Sequence, residues 1–222
     1  MRFDILSLFP DMLEGYFTSS ILGRAQKKKL IKIVQYDLRK WAHDKHNRVD
    51  DTPYGGGPGM VIRVDVVHRA LKALIQKKSS TTRILLLSPR GATFDQRVAK
   101  RLASYKRIVL IAGRYEAIDA RVDAYVDEKI SIGNFVLTGG ELAAACVVDA
   151  VSRLKDGVLG KATSLDQESF SHFEKKRTNI EYPQYTRPEI YERRSVPKVL
   201  LSGDHGAIAA WRGRMSKHHR TN

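Results

Sequence analysis

One cysteine, Cys146, is all that the 222 residues contain, which excludes an intrachain disulfide. Its place in the helical-looking stretch from Glu141 to Leu154 predicts a small core residue of a protein held in a reducing cytoplasm. No run of about eighteen apolar residues occurs, so a membrane span is not expected. The opening Met1-Arg-Phe-Asp-Ile-Leu-Ser-Leu-Phe-Pro10 is interrupted by Asp4 too early to read as a signal peptide. Internal repeats and low-complexity tracts are missing, which excludes solenoid and tract-built classes. His43, His46 and His68 have neither paired cysteines nor ligand spacing around them, so no zinc site is expected. The run Tyr54-Gly-Gly-Gly-Pro-Gly-Met60 lacks the Gly-Lys-Ser/Thr of a nucleotide-triphosphate loop and the spacing of the dinucleotide fingerprint.

Acids are the scarcer charge. Lysine and arginine number 39 against 24 aspartates and glutamates, a net +15, and a polyanion is the partner class this favours. Charge alone fits a ribosomal or packaging protein equally well. Residues 211–222 carry Arg212, Arg214, Lys217 and Arg220 with no acid, which points to RNA phosphates, whereas Lys27-Lys28-Lys29 reads as a solvated helix end.

Apolar runs bounded by turn signals alternate with amphipathic stretches. Strands are predicted over Phe3 to Phe9, Leu30 to Tyr36, Arg83 to Leu87, Arg107 to Ile111 and Ala124 to Asp127; helices over Ser19 to Lys28, Asp65 to Gln76, Asp95 to Ala103 and Gly139 to Leu154. This is an α/β pattern, a largely parallel sheet covered by helices, and periodicity alone draws it as an unknotted doubly wound fold. After Gly160 the composition turns polar, and Pro183, Pro188 and Pro197 punctuate the approach to a last helix from about His205 to Ser216. A domain boundary is expected there, followed by a small, basic, helical unit too short to build much core alone.

The stretch Ser131-Ile-Gly-Asn-Phe-Val-Leu-Thr-Gly-Gly-Glu141 is too glycine-rich for a core element and too apolar for a solvated loop. Upstream, Arg107 to Ile111 reads as a buried strand that breaks at Gly113 and presents Arg114, Tyr115 and Glu116 at its carboxyl end, where open α/β sheets collect ligands. These two segments, with Asp149-Ala-Val-Ser-Arg-Leu-x-x-Gly-Val-Leu-Gly160, resemble the bacterial tRNA (guanine-N1)-methyltransferase family, TrmD. The resemblance extends to Phe3-Asp-Ile-Leu-Ser-Leu-Phe-Pro10, Asp51-x-x-Tyr-Gly-Gly-Gly-Pro-Gly-Met60, Leu87-Ser-Pro-Arg-Gly91, Tyr182-Pro-Gln-Tyr-Thr-Arg-Pro188 and Val199-Leu-Leu-Ser-Gly-Asp-His205, nearly the whole chain in order.

The resemblance implies a SPOUT-type parallel sheet with a carboxyl-terminal trefoil knot in residues 1–160. It further implies a flexible linker over 161–182 carrying the base, and a small helical, basic tRNA-binding domain over 183–222. It implies a cytoplasmic homodimer with the active site between subunits, acting on N1 of guanosine 37 of tRNA with S-adenosylmethionine as donor. Two other readings share part of this: a related knotted enzyme with another target nucleotide, and a catalytically silent RNA-binding protein. The Tyr54 to Met60 run is then a family element near the tRNA or the subunit interface.

Methylating a protonated ring nitrogen calls for a donor cradle, a base and a holder for the charge that develops on O6. For the cradle, the resemblance carries over Leu87, Ser88 and Pro89, then Gly113, Tyr115 and Glu116. From the third segment come Ile132, Gly133, Asn134, Phe135, Val136, Leu137, Gly139 and Gly140. Backbone amides in such turns can read an adenine edge while Pro89, Ile132 and Leu137 cover its faces. Arg153 matches the catalytic arginine, and a guanidinium stays charged and donates in parallel. The family's base is an aspartate followed by Ser and an aromatic; the tripeptide here is Glu168-Ser169-Phe170, with Asp166 as rival base. Glutamate shifts the carboxylate by one methylene, and the segment from Glu168 to Pro183 is longer than the family norm. Against the family's pattern, the helices that usually follow Trp211-Arg212 are expected to be shortened. Glu116 is the candidate ligand for the Mg2+ with which the family is linked, and the metal set is otherwise unknown.

Overall fold

The apolar runs of the first 160 residues pair in parallel because each is bordered by helices that cover both of its faces. In the computed structural model the described residues are 1–77, 79–160, 168–171, 173–174 and 177–220. The chain divides into two compact units, Met1–Gly160 and Lys161–Asn222.

The strands of the first unit are β1 (Arg2–Ser7), β2 (Lys32–Asp37), β3 (Asp50–Asp51), β4 (Val61–Ile62), β5 (Thr82–Thr93), β6 (Arg107–Ala112), β7 (Ala117–Ile118) and β8 (Glu128–Ser131). Five of them form one sheet in the order β2-β1-β6-β5-β8, parallel throughout, and β3-β4-β7 form a small second sheet. The helices are α1 (Glu14–Thr18), α2 (Ser20–Lys27), α3 (Val64–Leu74), α4 (Gln96–Ala103) and α5 (Glu141–Ser152).

Alternate residues of each central strand serve opposite faces. Phe3, Ile5, Leu85, Leu87, Ile108 and Leu110 pack with Leu22 and Ala25 of α2, Leu102 of α4 and Val147 and Val151 of α5. Leu6, Ile84, Leu86, Val109 and Ile111 face Val66, Val67 and Ala70 of α3. Burial of each such side chain stabilises by about 1.5–3 kcal/mol relative to exposure. One charge sits inside this sheet. Asp4 is fully buried, and its carboxylate accepts from Arg107 Nε at 2.6 Å and Arg2 Nε at 2.9 Å, which compensates the desolvation of the anion.

Three expectations change. Residues 120–125 form a 3-10 helix, not the start of a strand, because Asp119 accepts from Arg121 N at 2.9 Å and Val122 turns inward; the strand begins only at Glu128. The strand expected over Arg83 to Leu87 continues to Thr93, with a register shift against β8 between Leu87 and Ala92. Cys146 is exposed, on the side of α5 turned away from the sheet, between buried Ala145 and Val147.

The second unit contains strands as well as the expected helix. Antiparallel β9 (Phe173–Glu174), β10 (Arg177–Ile180) and β13 (Lys217–Arg220) lie in the order β13-β10-β9, and β11 (Ile190–Tyr191) pairs with β12 (Arg194–Ser195) as a hairpin. Helix α6 (His205–Met215) is capped by Asp204, which accepts from Ala207 N at 2.9 Å. Tyr182 and Tyr185 both meet the Trp211 ring edge-on, with centroids 6.3 and 6.2 Å away, and Arg212 lies 4.9 Å from the Tyr182 ring centre. Strands of two to four residues are too short to leave an alternating pattern, which is why the sequence reads as linker and helix.

Candidate cofactor and active site

Three adjacent strands, β5, β6 and β8, end at one edge of the sheet, and the loops that leave them enclose a cavity of ≈ 740 Å³. Glycines hold its loops together. After β6 the chain turns through Gly113, whose carbonyl accepts from Gly140 N at 2.8 Å, so the loop of one strand is tied to the approach of α5. A Cβ on Gly140 would stand 2.8 Å from Ala112 Cα and 2.9 Å from Gly113 N, so only glycine permits this closure. Gly139 is equally confined, against the side chains of Arg114 and Glu141. Ser131, at the end of β8, donates its hydroxyl to Gly133 O at 3.0 Å and starts the next loop.

A buried ion pair holds these loops in place. Glu141, 3% exposed in the first turn of α5, accepts from Ser7 Oγ at 2.6 Å and from Arg114 Nε at 3.2 Å. Arg114 Nη1 donates to Thr138 O at 3.2 Å, and the guanidinium lies 4.8 Å from the Phe9 ring centre. A carboxylate at a helix N-terminus is favoured by the helix dipole as well. Arg114 thus clamps the post-β6 loop to the post-β8 loop, and Tyr115 beside it takes a left-handed backbone, φ 60°.

Of the residues expected at the donor, Leu87, Ser88, Pro89, Gly113, Tyr115 and Glu116 border the cavity. So do Ile132, Gly133, Phe135, Val136, Leu137, Gly139 and Gly140, whereas Asn134 does not. The cavity also meets Tyr54, Val61, Arg90, Ile118, Asp119, Asp123 and Lys129, which were not among the expected cradle residues. Arg90 and Asp119 lie inside recognised motifs and were open to inference; Lys129 reaches the rim paired to Asp123 at 2.7 Å, a contact that no local spacing announces. The Asp119 carboxyl is held below its ordinary range by the hydrogen bond from the Arg121 side chain.

The two expected catalytic side chains belong to different units. Arg153 is half-buried at the carboxyl end of α5, its N–H bonded to Asp149 O at 3.1 Å, and is not part of the cavity wall. Glu168 belongs to the second unit, in a turn where its carbonyl accepts from Ser171 N at 3.1 Å and Asn179 Nδ2 at 3.0 Å. Asp166 and the rest of residues 161–167 lie outside the described residues. Among the described residues, no three His, Cys, Asp or Glu side chains group to hold a metal ion, and no helix is long and apolar enough to cross a membrane.

The profile of the family described as tRNA (Guanine-1)-methyltransferase TrmD matches residues 1–222, end to end. This chain belongs to the TrmD family. A Thermomicrobium roseum protein named tRNA (guanine-N(1)-)-methyltransferase is 48% identical over 217 residues, 97% of this chain and 79% of that protein. Proteins of the same name from Clostridium botulinum and an Anaeromyxobacter species are 48% and 50% identical, each across 96% of this chain and 85% of its own length. The glycine-tied cavity lies at the carboxyl edge of the sheet, with Pro89, Ile132 and Leu137 among its lining residues.

Proposed function

We propose that this chain is a tRNA methyltransferase that moves a methyl group from S-adenosylmethionine to N1 of guanosine 37, immediately 3′ of the anticodon. The observation that carries the proposal is membership of the TrmD family over the whole chain, joined to a cavity bordered by Gly139 and Gly140, where a Cβ would collide with Arg114, Glu141 and the backbone of Ala112 and Gly113. Pro89, Ile132 and Leu137 would cover the faces of the donor's adenine, and the peptide groups around Gly113 and Gly140 would read its edge. Bound there, the donor supplies a methyl group activated by attachment to a sulfonium. Glu168 takes the proton from N1, and Arg153 donates to the anionic O6; the apolar walls keep water from competing.

A homodimer is part of this reading, since it lets Glu168 of one protomer serve the cavity of its partner. Exposed Phe9, Met12, Tyr16 and Leu142 offer the apolar surface such an association would cover. The trefoil knot of the SPOUT class, the linker role of 161–182 and the tRNA-binding role of basic 183–222 belong to the same proposal, as does a cytoplasmic location. For magnesium the candidate ligand is Glu116, and titration of the metal into the enzyme with and without Glu116→Gln measures its part.

Labelled methyl transfer to G37 and A37 transcripts, followed by nucleoside analysis, tests the function. Label in 1-methylguanosine from the G37 transcript alone is the expected result. Label in both, or in neither, overturns it.

A further inference from the structure

Tyr54 is 99% exposed, yet it borders the same cavity as the glycine-tied loops. It stands on a segment that comes from outside the parallel sheet. The segment is anchored at both ends: β3 pairs with β4 before and after it, β4 pairs with β7, and Glu116 N bonds to Met60 O at 3.1 Å. Between the anchors, Gly55, Gly56 and Gly57 have φ of 87°, 79° and 118°, and a Cβ on any of the three would meet nothing within 4 Å. Crowding therefore does not require these glycines; the backbone path does, and it carries the tyrosine ring clear of the protein. At the same rim stand Tyr115, 50% exposed, and Phe135, 54% exposed. Rings left uncovered at the mouth of an apolar cavity suit a flat ligand, and an aromatic face accepts any base by stacking.

We propose that Tyr54 is the stacking platform for the target purine of the RNA, holding it at the mouth of the cavity against the bound donor. This rests on the reading of the chain as a tRNA methyltransferase. The donor slot is lined by the loops after β5, β6 and β8, so the loop of Tyr54 is left to face the second substrate.

The test compares wild type, Tyr54→Ala and Tyr54→Phe in methyl transfer to a tRNA transcript, with donor affinity from calorimetry. In Tyr54→Ala, kcat/KM for tRNA is expected to fall about tenfold to a hundredfold, the size of a base–aromatic contact, with donor affinity within about twofold. Tyr54→Phe, which keeps the ring, recovers most of the loss. Unchanged kcat/KM in Tyr54→Ala, or a parallel loss of donor affinity, overturns the proposal. A transcript with 2-aminopurine at the target position gives a readout that needs no catalysis: its fluorescence is expected to be brighter bound to Tyr54→Ala than to wild type, and equal brightness refutes the stacking. A wild type that transfers no methyl group refutes the enzyme reading alone, because the fluorescence still decides Tyr54.

Discussion

In the proposed reaction Glu168 and Arg153 would act with opposite charges from separate elements, and single substitutions read their roles apart. Glu168→Gln keeps the size of the side chain and removes the proton acceptor, so turnover is expected to fall about a hundredfold or more while donor affinity holds. Arg153→Ala is expected to lower turnover similarly, and normal single-turnover rates in either variant would remove that residue from the mechanism. Glu128 offers a different kind of test. Burial alone would raise its pKa, but bonds from Arg101 (Nη2 to Oε2, 2.7 Å) and Arg83 (Nε to Oε1, 2.9 Å) prevail and hold it below the ordinary carboxylate range. A lowered folded pKa means that the stabilisation is complete above the unfolded value and is lost as the pH falls through the folded one. Glu128→Gln should therefore be less stable by about 1 kcal/mol at neutral pH, with solvent screening included, and the gap should close below about pH 4. Urea unfolding at both pH values checks this.

At the scale of elements, the site depends on how closely α5 approaches the end of β6. Gly140→Ala forces a methyl group against Ala112 and Gly113 backbone, which cannot swing aside as a long side chain can. Overpacking of this kind costs about 1–3 kcal/mol, or several degrees in melting temperature for a chain of this size. Because the same contact shapes the cavity, donor affinity is expected to drop about tenfold or more, read by calorimetry on the folded variant. Wild-type donor affinity in a destabilised Gly140→Ala would separate the close approach from the cradle. Helix α5 also shows why its sequence misled at Cys146: an alanine- and valine-rich helix looks apolar all round, and only its packing decides which residues turn outward.

For the whole molecule, the net charge of +15 is the property most directly testable. Affinity for tRNA should weaken by at least about a hundredfold between roughly 50 and 200 mM salt, measured by filter binding; a flat dependence would contradict phosphate contact. The strands β1, β2 and β6 and the helices α2 to α4 were legible in the sequence, because a strand covered on both faces is a continuous apolar run and a helix covered on one is periodic. Part of the cavity wall was legible from Gly113, Gly139 and Gly140, which border it. The pairing of β10 with β13, the 3-10 helix ahead of β8, the rim pair Asp123–Lys129 and the station of Tyr54 were not, since each depends on segments distant in the chain meeting in space. Local chemistry, written in residue order, determined the family, the parallel sheet and most of the cavity wall. Long-range packing alone decided which side chains border that cavity and which stand apart from it, because burial and pairing are settled by neighbours in space.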